Sequence, residues 1–245
     1  MNFLIDAFAW IADPARWSGP NSIPVALLEQ LLYTAVAVVI AGLIAIPIGW
    51  MIGHTGRGRE VAVAVSGAAR AVPSFGLLIL LVLIFGVLHK PEAAIVTFVI
   101  LAIPSLLAGA YTGFEAIDRR VIDAARSMGM TEREILWRVE VPLGMPLLVG
   151  GIRAATLQVV ATVTIAAYVN LGGLGQYIIT GLQLQQLDVV VGGAILVAGL
   201  ALVLDGLFAI LQHAVVPRGV RVGQIDPSAS DRVRAPRAAS VPSPT

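Results

Sequence analysis

Five long, nearly uncharged runs dominate this sequence and limit the folds that it can adopt. They cover residues 25–51, 61–88, 93–114, 143–168 and 189–212. About 20 helical residues cross the roughly 30 Å hydrocarbon layer of a bilayer. Lipid offers no partner to free backbone N–H and C=O groups, so each run should be helical. With a mean hydropathy of +0.89 and only 13% charged residues, the chain is not an ordinary soluble domain. We predict an all-α membrane protein whose membrane domain, residues 25–215, has about five transmembrane helices.

The basic residues are distributed unevenly between the loops. Twelve arginines follow the first, third and fifth runs: Arg57, Arg59, Arg119, Arg120, Arg126, Arg133, Arg138, Arg218, Arg221, Arg232, Arg234 and Arg237. Only Arg16 and Lys90 lie on the opposite side. The positive-inside rule therefore predicts a multi-pass plasma-membrane protein with its N-terminus outside and its C-terminus in the cytoplasm.

The second run and the two termini need separate interpretations. Arg70 and Pro73 interrupt the second run, which is one span, an interfacial helix followed by a short span, or two half-spans. Residues 1–24 lack the basic start of a signal peptide and should form an external interfacial segment, with Phe3, Phe8, Trp10 and Trp17 at the lipid headgroups. Residues 223–245 are rich in Pro, Ser, Ala and Arg, which predicts a disordered cytoplasmic tail.

Between the third and fourth runs lies a charged island, residues 115–142, that should stand outside the bilayer. Asp118 is placed to cap a first helix, and Gly129 to make a left-handed turn after it. Thr131 and Glu134 then match a capping box at the start of a second helix. Because proline does not continue a helix, the second helix should end near Pro142. Two short helices joined by a hinge would form a compact docking surface.

The island also carries a spaced motif. It consists of Asp123, Ala124, Ala125, Gly129, Val139, Val141 and Pro142. The spacing is that of EAAxxxG followed, after nine residues, by IxLP, with Asp in place of Glu and Val in place of Ile and Leu. This pattern resembles the cytoplasmic loop of the membrane subunits of binding-protein-dependent ABC importers. The substitutions keep the sign of the charge and the apolar character.

A finer resemblance covers about residues 27–212. The stretches IAIPIGWMIGH, RAVPSFGLLILLVLIFG and LGGLGQYIITGL are similar to permeases that import the osmoprotectants glycine betaine, carnitine, choline and proline. Asn170 departs from that branch, which usually has glycine there. Permeases for methionine share the five-span plan, so methionine or another small solute is the alternative cargo.

The resemblance implies a type I ABC importer permease with several partners. These would be two cytoplasmic ATPases that carry ATP and Mg²⁺, a second identical or paralogous permease, and an external substrate-binding protein. The ATPases would contact the coupling residues Asp123, Ala124, Ala125, Gly129 and Pro142. The chain itself would be a transport subunit in membrane lipid that binds no cofactor or metal, is not an enzyme, and has no nucleic-acid partner. A secondary transporter or channel is a remote alternative.

Polar residues at one end of the fourth run suggest a solute pathway. They are Gln158, Thr162, Thr164, Tyr168 and Asn170. Side chains three or four residues apart share a helix face, so Gln158 and Thr162 would lie on one face and Thr164 and Tyr168 on a neighbouring one, which together would form a polar stripe. Interhelical hydrogen bonding explains the same pattern, and the sequence does not decide between the two.

Three charged residues lie inside the apolar runs. Asp205 is about eight residues from the end of its run, and Arg70 and Arg153 are each about ten residues deep. Since unpaired charges at such depths are costly, we predict that Asp205 pairs with Arg153 or with Arg70. The alternative is that each charge snorkels to the interface.

Two further patterns have simpler interpretations. The sequence GHTGRGRE has the glycine spacing of a phosphate loop, but Arg59 and Glu60 replace the required Lys and Ser or Thr, so we expect no nucleotide site. His54, His89 and His213 lie in separate loops or span ends without the spacing of metal ligands, and are expected at the interface.

Overall fold

The structure is a computed structural model that describes residues 3–215 of the 245-residue chain. The predicted disordered tail, residues 223–245, lies outside the described residues. The described part contains ten α-helices and no β-strand. The helices are α1 Phe3–Ala12, α2 Ile23–Thr55, α3 Arg59–Ala71, α4 Ser74–Phe85, α5 Lys90–Glu115, α6 Arg119–Ser127, α7 Glu132–Ile135, α8 Val141–Ala166, α9 Gly175–Leu184 and α10 Leu187–Val215.

Four continuous helical segments within residues 3–215 are long and apolar enough to cross a membrane. They are Ile23–Thr55, Val87–Glu115, Glu132–Val169 and Leu187–Val215. The second apolar run instead forms α3 and α4, which are bent by 85° at their junction. The bend has a local cause, because Val72 precedes Pro73 and adopts an extended conformation, with φ −71° and ψ 126°. Counting this bent pair as one span gives five, as predicted.

Helix α5 lies at the centre of the membrane domain and packs closely against α2 and α8. Glycines make this possible: a Cβ at Gly109 would lie 2.7 Å from the Cα of Gly151, and a Cβ at Gly113 would lie 2.7 Å from the carbonyl oxygen of Gly144. On the other side of α5, a Cβ at Gly49 would lie 2.5 Å from that of Ala110. Small residues allow helix backbones to touch where lipid supplies no hydrophobic driving force.

The N-terminal helix α1 packs on α10 rather than lying free at the surface. Trp10 is only 7% exposed, with its indole over Gly192, whereas Phe3, Phe8 and Trp17 are exposed. The ring of Trp10 therefore packs against α10, a contact that the sequence did not indicate. Gly192 has no side chain, and the resulting slot accepts the ring.

A bidentate ion pair joins α8 to α10. Arg153 Nε and Nη2 donate to the two carboxylate oxygens of Asp205, each at 2.6 Å. Both side chains are about one-third exposed. The structure thus contains the first of the two predicted pairings. Arg70 lies on the exposed surface of α3, away from Asp205.

We predict that Gly109→Ala destabilises the membrane domain, because the added Cβ would meet the backbone of α8. Overpacking of this kind costs about 1–3 kcal/mol. Thermal unfolding of the purified protein in detergent measures the change. The control is Gly199→Ala, since a Cβ at Gly199 would meet nothing within 4 Å. Equal melting temperatures for the two variants would contradict the close packing.

We also predict that Arg153 and Asp205 are energetically coupled. Asp205→Ala leaves an unpaired guanidinium and Arg153→Ala leaves an unpaired carboxylate, so each should lower the melting temperature. The double variant should lose less stability than the sum of the two single losses. A double-mutant cycle in detergent or lipid nanodiscs measures this difference. Strict additivity would show that each charge is solvated independently.

Candidate functional site

The first helix of the island, α6, ends as the sequence predicts. Asp118 caps its start by accepting a hydrogen bond from the N–H of Arg120 at 2.9 Å. At its end, the N–H of Gly129 donates to Arg126 and the N–H of Met130 donates to Ala125. This pair of bonds is a Schellman motif. It requires Gly129 to be left-handed, and its φ is +82°.

The second helix, α7, begins with the predicted capping box. The N–H of Glu134 donates to Thr131 Oγ1 at 3.3 Å, and the N–H of Thr131 donates back to the Glu134 carboxylate at 3.0 Å. Arg126 then ties α6 to α7 through two hydrogen bonds to Glu132, at 2.8 and 3.1 Å. These hydrogen bonds raise the pKa of the Arg126 guanidinium and lower the pKa of the Glu132 carboxyl, so both groups are charged at physiological pH.

The second helix does not end near Pro142, and that prediction is wrong. A π-helical turn, Leu136–Glu140, connects α7 directly to α8. In this turn the N–H of Val141 donates to the carbonyl of Leu136, five residues back. A proline in a regular helix would collide with the carbonyl four residues before it, here that of Arg138. The wider turn coincides with that position and lets the chain continue through Pro142.

The two faces of α6 differ in their surroundings. Ile122 and Ala125 are buried against Ile135 in a small apolar cluster of the island. A neighbouring face presents Val121, Ala124 and Met128 to the outside, a spacing of i, i+3 and i+7 that places all three on one side. Met128 is 76% exposed and Val121 is 43% exposed. The island therefore keeps an apolar stripe that its own helices do not cover.

The motif residues fall on both faces. The structure exposes Asp123, Ala124, Gly129 and Pro142 and buries Ala125. The side chain of Asp123 is 72% exposed and lies 3.8 Å from Arg126 Nη1. Val139 packs at the edge of the apolar cluster. The predicted coupling residues are thus brought together, but only some of them are available to a partner.

The predicted pathway residues do not form one continuous open stripe. Thr162 is buried and donates to the carbonyl of Gln158, on its own helix. Gln158 is half-buried and accepts a hydrogen bond from Ser105 on α5. Tyr168 is exposed, with its ring edge-on to Phe75 at 5.2 Å. Asn170 is exposed in a left-handed conformation, with φ +59°.

Thr164 belongs to a polar network between helices that the sequence analysis missed. The fully buried side chain of Gln30 donates to Thr164 Oγ1 at 3.2 Å and to the carbonyl of Val160 at 2.9 Å. It also accepts from the N–H of Leu174, while Glu29 accepts from the N–H of Gly173 at 2.8 Å. The available signal was the adjacent pair of polar residues, Glu29 and Gln30, inside the first apolar run.

His54 is a second residue whose contacts the sequence did not indicate. It lies in the last turn of α2, and its Nδ1 is 2.5 Å from a carboxylate oxygen of Glu140 in the π-helical turn. Glu140 is only 6% exposed. The sequence placed His54 at the interface, and in the fold its imidazole contacts the island through Glu140.

Curated relatives match most of the chain. The chain is 30% identical over 193 residues to the glycine betaine/carnitine/choline transport system permease protein OpuCB of Bacillus subtilis, with 79% of this chain and 88% of the relative covered. It is 32% identical to the carnitine transport permease protein OpuCB of Listeria monocytogenes, with 78% and 88% covered. It is 31% identical to the osmoprotectant import permease protein OsmW of Salmonella typhimurium, with 79% and 91% covered.

A solved structure has the same fold. A chain of the MetNI methionine ABC transporter, in an inward-facing conformation, superposes with a TM-score of 0.70 at 22% identity, with 84% of this chain and 100% of the other covered. The family described as "Binding-protein-dependent transport system inner membrane component" matches residues 45–218, more than half of the sequence. The chain belongs to this family of membrane-embedded transport components.

Proposed function

We propose that this chain is the membrane-spanning permease of an ABC importer that moves a small osmoprotectant, such as glycine betaine, carnitine, choline or proline, into the cell. ATP and Mg²⁺ are bound and used by a separate ATPase, and this chain is a transport subunit rather than an enzyme. The names of the relatives support the solute class, because glycine betaine, carnitine, choline and osmoprotectants appear in them. Methionine or another small solute is the alternative.

The observation that carries the coupling role is the uncovered stripe on α6. Val121 and Ala124 lie on the charged helix α6 and Met128 directly follows it, yet all three are apolar and outward-facing. Exposed Arg120, four residues before Ala124, borders the stripe. An apolar centre with a charged rim is typical of a protein–protein contact. We assign this surface to an ATPase subunit.

The island is built to transmit displacement to the membrane helices. A Schellman motif, a capping box and the Arg126–Glu132 pair fix α6 relative to α7. The helix that begins with α7 continues without a break into α8. ATP-driven closure of two ATPases would then favour one of two arrangements of the membrane helices by its differential contacts. This is the energetic requirement for alternating access.

Several parts of the assembly follow from this assignment. A second permease, identical or paralogous, completes the pathway, and an external binding protein delivers the solute. The N-terminus is outside and the C-terminus is in the cytoplasm. Exposed Tyr168 and Asn170, with half-buried Gln158, are the pathway candidates that remain open to solute. Thr162 is hydrogen-bonded to its own helix, whereas Thr164 joins α8 to α2 through Gln30.

Reconstituted uptake tests the proposed function. The chain is co-expressed with the ATPase and binding protein of its own operon and placed in proteoliposomes. Radiolabelled glycine betaine, carnitine, choline and proline are offered, with methionine as the alternative cargo. Uptake of an osmoprotectant that requires ATP supports the proposal. Uptake by the isolated chain without ATP would instead indicate a secondary transporter or channel.

We predict that Gly129→Val reduces uptake while leaving membrane insertion intact. A Cβ at Gly129 would meet nothing within 4 Å, so the penalty comes only from the left-handed backbone, about 1–2 kcal/mol for an L-residue with a side chain. This shifts the turn equilibrium by roughly 5- to 30-fold. Gly129→Asn is the matched control, because Asn tolerates this conformation. Equal uptake by the two variants would mean that the turn does not position α6.

We predict that Asp123→Lys weakens copurification of the ATPase. The exposed carboxylate would become a cation beside Arg126, which reverses the local charge that the partner meets. Glu60→Lys is the control, since Glu60 is an exposed carboxylate near the same end of the bundle. Affinity copurification and ATP hydrolysis in proteoliposomes measure the effect. Normal copurification and normal ATP hydrolysis for Asp123→Lys would mean that α6 does not contact the ATPase.

A further inference from the structure

A buried carboxylate lies at the junction between the island and the membrane helices. Glu140 is the last residue of the π-helical turn that leads into α8, and it is 6% exposed. A buried carboxylate without a partner is costly. Its hydrogen-bond partner is His54, 86 residues earlier in the chain, with Nδ1 to Oε2 at 2.5 Å. The contact therefore joins the end of α2 to the start of α8.

His54 also faces the island through its other nitrogen. His54 Nε2 lies 3.8 Å from Glu132, the first residue of α7. Glu132 is held by Arg126, and Arg126 lies 3.8 Å from Asp123. A chain of ionisable side chains thus runs from the exposed motif residue Asp123, through Arg126, Glu132 and His54, to the buried Glu140.

Aromatic packing reinforces the same junction. Trp50, one turn before His54 on α2, meets Trp137 of the π-helical turn edge-on, with ring centroids 5.7 Å apart. Trp50 also stacks on Phe114 near the end of α5, with centroids 6.2 Å apart and planes 6° apart. The end of α2 therefore touches both the turn and α5.

The π-helical turn is a suitable joint. Turns with i to i+5 hydrogen bonds are rare and concentrate at functional sites. The turn lies between the element that faces the outside and the long helix α8. A hydrogen bond across the turn holds the two helices at a defined distance and orientation. An apolar contact of similar size would let the helices slide past each other. The position of His54 is therefore better explained by alignment than by stability alone.

We propose that His54 is a positioning residue that locks the end of α2 to the junction of the island and α8, so that displacement of α6 reaches α2 together with α8. The inference rests on the proposed coupling function of the island. This series of side chains begins at Asp123, and the protein that contacts Asp123 is the proposed ATPase. The lock itself consists of the His54–Glu140 hydrogen bond, with Trp50 and Trp137 beside it.

The test compares three variants in the complete importer. His54→Leu removes the hydrogen bond, and His54→Asn keeps an amide N–H close to the place of Nδ1. His89→Leu is the control, because His89 is an exposed histidine at the opposite end of the bundle. We expect His54→Leu to keep the ATPase bound and hydrolysing ATP while uptake per ATP falls about tenfold, the effect of losing one charged hydrogen bond. His54→Asn should recover most of the ratio, and His89→Leu should match the wild type.

Distances between labels give a second measurement that does not depend on activity. The chain has no cysteine, so cysteines introduced at Arg57 and Arg133 can be spin-labelled selectively. In the otherwise unmodified chain we expect the label distance to stay constant between the nucleotide-free and ATP-bound complexes. In His54→Leu the distance distribution should broaden or shift when ATP binds.

The outcomes separate this inference from the proposed function. Absence of ATP-dependent uptake in the wild type would overturn the function itself. Normal wild-type uptake with an unchanged uptake-to-ATP ratio in His54→Leu would overturn only the role of His54. If His54→Leu fails to assemble, the label distance in the wild type decides: a change of several ångströms on ATP binding excludes a lock, and a constant distance supports it.

Discussion

The close contact of α5 with α2 and α8 is the constraint on which the rest of the structure depends. Gly109 and Gly113 let the backbone of α5 touch that of α8, while Gly49 and Gly53 bring α2 against its other side. In lipid, apolar side chains gain little by leaving the membrane phase, so such backbone approach and its dispersion contacts hold helices together. The glycines near the island end, Gly53 and Gly113, also fix the platform from which the island projects.

Polar contacts then set the register of this packed unit at both ends. At the end away from the island, Gln30 of α2 bonds to Val160 and Thr164 of α8. At the island end, His54 of α2 bonds to Glu140, where α8 begins. Hydrogen bonds are stronger and more directional in a low dielectric. With α5 packed between them, α2 and α8 are thus fixed to each other at two points far apart along their lengths.

The sequence predicted the features that depend on local chemistry. Capping by Asp118, the left-handed Gly129 and the capping box of Thr131 and Glu134 each involve residues close together in the chain, and all are present. It also predicted that Asp205 pairs with Arg153 or Arg70, because depth in the membrane can be counted along the sequence, but only the packing of the helices selects Arg153. The sequence did not predict contacts that depend on how the helices pack. The slot for Trp10 and the partner of His54 can be identified only once the helices have been placed. Pro142 shows a different limit, because the general rule that proline ends a helix does not anticipate a π-helical turn.

The division of the motif between two faces explains why it needs these residue types at this spacing. Ala125 must be small because it is buried against Ile135, and the positive φ of Gly129 favours glycine over residues with a bulky or β-branched side chain. These two residues determine the shape of the island. Asp123 and Ala124 are instead exposed, with Ala124 in the apolar stripe, and contribute little to internal packing. A shorter carboxylate at Asp123 leaves that shape unchanged, because its only effect is on the outward surface and on its contact with Arg126. The island can therefore keep its fold while its surface adapts to a particular ATPase.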